Sequence, residues 1–222
     1  MPAGNVNWIV SEDGISVLQS INGNPTFFVS PTDQLNITIR GTLKVETTRD
    51  DDFIGFVLGF NGPAATGNDM DFILFDWKGS AQVLDGDMVQ EGFALSRVQG
   101  TITDINPGFW KHTDSTGFTV LDTRYGSDEG WLSNTEYSFE VLYQANRIKI
   151  DIAGGQFGTT GQEIFDVSGI FSNGRFGFYN LSQESVRYGT LTQEDTPPRN
   201  AVPLPAPLAL LGIGFRHRRS QE

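Results

Sequence analysis

The sequence predicts an all-β protein, a single domain folded as an antiparallel β-sandwich, on three observations. Several segments alternate apolar and polar residues at the two-residue period of a half-buried strand, among them LNITIRGTLKV (35–45), EYSFEVLY (136–143) and RIKIDI (147–152). Glycine occurs 26 times and aromatic residues make up 12% of the 222 residues, which favours many short strands joined by turns. No stretch of the body keeps a 3.6-residue apolar period over three turns, so helix is excluded as a building principle.

Taken in order, residues 7–19 (NWIVSEDGISVLQ) read as two short strands around a Glu12-Asp13-Gly14 turn, with Ile15 and Val17 inward. Asn22-Gly23-Asn24-Pro25 is a turn, and Thr26–Val29 a brief strand. In 35–45, Leu35, Ile37 and Ile39 share a face, and Gly41 marks a bulge ahead of Leu43 and Val45. The stretch 50–78 follows: three consecutive acids, a strand (Phe53–Phe60), a Gly/Pro/Asn loop (61–68) and a second strand (Asp71–Trp77). Phe53, Ile54, Phe56, Val57, Leu58 and Phe60 are too continuously apolar for a strand with one wet face, so it is expected to be covered on both sides. Residues 78–91 read as a long polar loop, 92–99 as a strand, and Asn106–Thr113 as an aromatic turn. Residues 118–125 form a strand, Gly126–Gly130 a loop ahead of Trp131, and 136–143 with 147–152 a hairpin across Gln144-Ala145-Asn146. Gly154–Gln162 is a loop, and strands at 175–180 and 186–191 complete the body.

Charge and composition remove several functions. The formal net charge is −12; the last 22 residues hold three Arg against one Glu, a balance of +2, which leaves −14 on the rest. So acidic a body repels phosphate backbones, and nucleic acid is excluded as a partner. There is no cysteine, hence no disulfide, thiolate nucleophile or Cys-zinc site. The N-terminal MPAGNVNWIV lacks a basic start and an apolar core of signal-peptide type.

Residues 196–201 form a linker, which separates the 1–195 domain from a tail at 202–222. Ala206–Phe215 is ten residues, about 15 Å as helix, too short to span a ~30 Å hydrocarbon core. The tail resembles the C-terminal sorting signal of exported bacterial proteins: Val202-Pro203-Leu204-Pro205-Ala206, an apolar segment, then Arg216, Arg218 and Arg219. That resemblance implies transient membrane contact through the tail during export, cleavage by a membrane protease, and a secreted or cell-surface protein of bacterial origin whose leader is missing from the given N-terminus.

The body resembles the thrombospondin C-terminal domain in a bacterial secreted form. The matching residues are Asn7–Val10, the Asp50–Phe53 run continuing to Phe60, Phe75–Lys78, Phe109–Thr113, Gly130-Trp131, Glu136–Phe139 and Gly174–Tyr179 leading into Ser182–Glu184. The resemblance implies a concanavalin-type, lectin-like jelly roll that binds calcium at its loops. It also implies adhesion, without catalysis, to a glycan or a protein at the cell surface or in the extracellular matrix. Animal members carry cysteines near the final strands, and this chain has none.

Calcium takes six to eight oxygens, and the acids offer them. Asp50 and Asp52 share a face if the run is extended, Asp51 stands between them, and Asn68, Asp69 and Asp71 head the next strand. These six are the expected metal ligands, on the expectation that antiparallel pairing of Phe53–Phe60 with Asp71–Trp77 sets the two groups side by side. No EF-hand loop is present, since Asp85-Gly86-Asp87 lacks its spacing. For ligand binding, Trp110 and Trp131, in loops beside Gly and acids, are the expected stacking rings, with Tyr125 and Tyr179 further aromatic candidates; Trp8 and Trp77 are expected in the core. Two other classes compete: a structural matrix protein without a specific ligand, and a glycoside hydrolase with an atypical carboxylate pair. The Glu-x-Asp-x-x-Glu strand motif is absent, Asp71 and Asp76 face opposite ways, and His112 is expected to be surface-exposed or hydrogen-bonded without a Gly-x-Ser-x-Gly partner.

Overall fold

Alternating and doubly apolar segments sort into two antiparallel sheets. The computed structural model describes residues 6–62 and 69–197. Its strands are β1 (Trp8–Val10), β2 (Ser16–Gln19), β3 (Thr26–Gln34), β4 (Ile37–Val45), β5 (Phe53–Asn61), β6 (Met70–Lys78), β7 (Gln82–Leu84), β8 (Asp87–Val89), β9 (Gly92–Gly100), β10 (Phe118–Tyr125), β11 (Glu136–Gln144), β12 (Arg147–Ala153), β13 (Gln162–Ser168), β14 (Gly174–Leu181) and β15 (Val186–Asp195). A seven-stranded sheet runs β1-β2-β15-β4-β11-β12-β13, a six-stranded sheet runs β10-β9-β6-β5-β14-β3, and β7-β8 is a separate hairpin.

The alternating strands build the seven-stranded sheet. Ile37, Ile39, Leu43 and Val45 of β4, Tyr137, Phe139, Val141 and Tyr143 of β11, and Ile148, Ile150 and Ile152 of β12 are buried on its inner face. They pack on Phe56, Phe75, Trp77, Phe93 and Phe176 from the other sheet. The Phe56 and Phe75 rings stack at 4.4 Å and those of Trp77 and Phe93 at 4.6 Å. Each such ring contributes about 1.5–3 kcal/mol by leaving water.

As expected from its composition, β5 is covered on both faces. Ile54, Phe56 and Leu58 join the core between the sheets, while Phe53, Val57 and Phe60 join a second cluster on the outer side. That cluster includes Phe72, Leu74, Val98, Phe109, Phe118 and Tyr179. Phe109 comes from a single π turn, Asn106–Trp110, in the segment between β9 and β10.

Four details differ from the sequence expectation. Gly41 is no bulge: β4 pairs with β11 in unbroken register, and a Cβ at Gly41 would lie 2.5 Å from the Phe139 ring. The irregularity sits opposite, in β15 between Gly189 and Thr192. The polar stretch 78–91 contains the β7–β8 hairpin, and the third strand extends to Gln34, past Pro31, as an edge strand tolerates. The seven-stranded sheet also includes β13, whose adjacent Ile164 and Phe165 are both buried where its pairing with β12 slips, which breaks the alternation that would mark it.

Candidate metal and ligand site

The acid run enters β5 at a corner of the sandwich. Asp50, Asp51 and Asp52 each bring a carboxylate oxygen within 4.8 Å of the others. The corner is held from beneath by Lys78, the last residue of β6 and register partner of Phe53. The Lys78 side chain is fully buried, with Nζ 2.8 Å from Asp52 Oδ1, 3.2 Å from Asp51 Oδ1 and 5.2 Å above the Phe53 ring. Gln82 Nε2 donates to Asp52 Oδ1 at 3.2 Å, and the Asp52 N–H donates to Gln183 Oε1 at 3.0 Å. Asp50 is outside this embrace: its carboxylate accepts from its neighbour's N–H and from the side-chain amide of Asn22.

One ammonium among three carboxylates leaves an excess of two negative charges. Partial burial, then the charge of Asp52, pushes the Asp50 carboxyl above its ordinary value, with Asp51 adding to the effect. Crowded carboxylates of this kind favour a bound cation. The donors are hard oxygens throughout, the chemistry of a calcium rather than a zinc ligand set.

Asn22 links the corner to a cleft of about 380 Å³ lined by Asn22, Gly23, Asn24, Trp110, Leu181 and Ser182. Ser182 Oγ donates to Asn22 Oδ1 at 3.3 Å. The π turn presents Trp110 half-buried, its ring edge-on to Phe53 at 5.4 Å. The next turn buries His112 completely enough to settle its role: the side chain is 2% exposed, with Nε2 2.9 Å from Asp76 Oδ1 and Nδ1 2.9 Å from the Tyr125 hydroxyl. The surface alternative for His112 is therefore incorrect and the hydrogen-bonded one holds. Burial pushes the Asp76 carboxyl up, and His112 offsets part of that. A neutral ring with its proton on Nε2 satisfies both neighbours.

Two of the expected ligands, Asp69 and Asp71, are elsewhere. Because β5 and β6 run antiparallel, Phe53 faces Lys78 and Asn61 faces Asp71. Asp69 and Asp71 thus lie at the far end of the pair, about 27 Å from the acid corner at the usual strand rise, and Asp71 faces Arg97 at 3.4 Å. Asn68 lies outside the described residues. The head of one strand meets the tail of its antiparallel neighbour, so adjacency in the hairpin separates the two acid groups.

Trp131 is also corrected. It is 3% exposed, and its Nε1–H reaches Asp52 O at 3.0 Å and Trp77 O at 3.1 Å, so the ring fastens the corner from inside. Tyr179 and Trp77 are fully buried as well, and Trp8 packs partly buried against the core. Asn22 and Lys78 were not legible as site residues: Asn22 reads as a turn former, and nothing local says that its amide meets an acid 28 positions on.

The family model described as the thrombospondin C-terminal region matches residues 3–195. Thrombospondin-2 of Gallus gallus is 26% identical over 200 residues, covering 85% of this chain and 16% of its own length. Thrombospondin-3b of Danio rerio is 24% identical over 195 residues, covering 83% of this chain and 20% of its own length. The chain therefore spans about a fifth or less of those two relatives. Among solved structures, the carbohydrate-binding module CBM66 from Bacillus subtilis superposes with a TM-score of 0.55 at 11% identity, covering 87% of this chain and 96% of its own. The likeness shows a shared lectin-like sandwich fold.

Proposed function

The chain belongs to the thrombospondin C-terminal region family, and from that premise we propose that it is a secreted, non-enzymatic binding domain that holds calcium at Asp50–Asp52 and a glycan in the adjoining Trp110 cleft. The observation that carries this reading is the junction itself. An aromatic wall, a row of amide and hydroxyl groups, and an under-neutralised carboxylate corner meet through the single side chain of Asn22. Rings stack on the apolar faces of sugars while amides and hydroxyls pair with their hydroxyl groups. Calcium bound to the free side of Asp50 would fix Asn22 and so shape the cleft floor. A matrix or cell-surface protein carrying such a glycan is the partner that this chemistry fits. We also assign residues 202–222, which lie outside the described residues, the role of a bacterial sorting signal on the Val202–Ala206 motif and the Arg216–Arg219 cluster.

A catalytic role is disfavoured by what surrounds the acids. Asp76 and His112 are too deeply buried to meet a substrate, and their third member is Tyr125 in place of a serine nucleophile. Lys78 holds Asp51 and Asp52 as structural anions.

Thermal unfolding in calcium and in chelator tests the metal. A ligand at a hundred times its dissociation constant adds about 2.7 kcal/mol, which raises the midpoint of a domain this size by several degrees. A glycan array probed in calcium with the native protein and with Trp110→Ala tests the cleft. An unchanged midpoint at millimolar calcium removes the metal, and equal array signals from both proteins remove the cleft.

A further inference from the structure

On the opposite side of the molecule, the outer face of the seven-stranded sheet carries a groove of about 580 Å³. Its floor is β4, β11 and β12. The β15 irregularity walls it at Thr190 and the loop after β12 walls it at Thr159–Gly161. From β15 to β12 is three strand spacings, about 14 Å.

Two ion triads stand in and beside this floor, each a cation between two acids. Arg40 donates through Nε to Glu140 at 2.6 Å and through Nη1 to Glu194 at 3.0 Å. Lys149 lies 2.7 Å from Asp151 and 3.5 Å from Glu163. The register sets Glu140 directly opposite Asp151 on adjacent strands. Like charges so placed destabilise a sheet, and here a cation on each side secures the carboxylates. A held carboxylate retains lone pairs beyond those its cation uses, and a guanidinium retains N–H donors. Such an array suits vicinal diols, each donating to an acid and accepting from a cation. Thr42, Ser138 and Thr160 add further hydroxyl partners along the lining.

We propose that this groove is a second, metal-independent binding site for a neutral, polyhydroxylated polymer, a linear polysaccharide. Four acids against two cations repel polyanions, which argues against uronate or sulfated chains. Because the acids are already paired, the unspent groups are lone pairs and hydroxyls, which matches an uncharged ligand better than a basic peptide. The proposal deepens the glycan-binding reading while requiring neither calcium nor the Trp110 cleft.

Affinity electrophoresis of the full chain in native gels cast with laminarin, inulin or galactomannan, in the presence of chelator, tests it. The expected result is retardation by at least one of the three. Thr160→Trp, which fills the groove from an exposed loop, and the isosteric pair Glu140→Gln/Asp151→Asn should each weaken it about tenfold. Trp110→Ala should leave it unchanged. Thermal melts check that the variants fold. Absence of retardation in all three gels overturns the proposal, as does retardation abolished by chelator or by Trp110→Ala, which would assign binding to the acid corner. Preference for polygalacturonate or oligolysine over all neutral polymers also overturns it. New reducing ends during incubation would replace binding with hydrolysis at Glu140 and Asp151. Calcium-dependent array signals that survive Thr160→Trp keep the corner reading intact if the groove fails.

Discussion

Asp50 sits beside two acids that share a buried cation, and has only an amide and a backbone N–H of its own. Its raised pKa, from burial and from Asp52, means that its charge costs stability at neutral pH while no cation is present. Asp50→Asn is therefore expected to raise the metal-free midpoint by about a degree and to remove the calcium-dependent rise. A drop in the metal-free midpoint would show that Asp50 is a structural hydrogen-bond acceptor and nothing more. Asp76 gives a pH prediction of definite sign. Burial raises its folded pKa above the unfolded value despite His112, so its contribution is fully present below the unfolded value and is lost as pH rises through the folded one. Asp76→Asn keeps an acceptor for His112, and its midpoint relative to the native protein should climb from pH 4 to pH 7. A flat or falling difference would mean that burial does not set the Asp76 carboxyl. Single residues were unevenly legible in the sequence. The acid run and Trp110 proved adjacent, whereas Trp131 gave no sign that its indole N–H is needed between Asp52 and Trp77.

Whole strands were more legible than single residues, because burial on one or two faces writes itself into every position. The alternation of β11 and β12, and of β4 up to Gly41, was read from spacing, and the double cover of β5 from its continuous apolar run. The antiparallel pairing of β5 and β6 was expected correctly, but its consequence was not: consecutive antiparallel strands joined through 62–69 put Asp71 beside Asn61, the end away from the acid run. Short elements such as β7 and β8 failed because three residues are too few to display a period. Strand packing also explains a position that looks dispensable. At Gly55 a Cβ would lie 2.1 Å from the Phe75 carbonyl oxygen on the neighbouring β6 backbone. Gly55→Ala must push β5 off β6 and is expected to cost about 1–3 kcal/mol in urea denaturation. A smaller loss would indicate that the two strands separate locally without disturbing the rings on either face.

At the scale of the molecule, the all-β sandwich was legible from composition, but strand order was not. The last strand, β15, lies between β2 and β4, near the middle of the larger sheet. A chain ended after Leu181 leaves β4 and β2 without their shared neighbour, and is expected to show neither a cooperative melt nor dispersed amide resonances. One ended after Pro197 should keep the native midpoint within a degree or so, and a large fall would place part of residues 198–222 in the folded domain.

The same placement sets a clock on biogenesis. Until residues 186–195 emerge from the ribosome or from any channel that threads the chain, the larger sheet exists only as two strips with facing raw edges. The larger sheet therefore closes only once nearly all of the body has been delivered, and until then its two strips present unpaired edges to whatever surrounds the nascent chain.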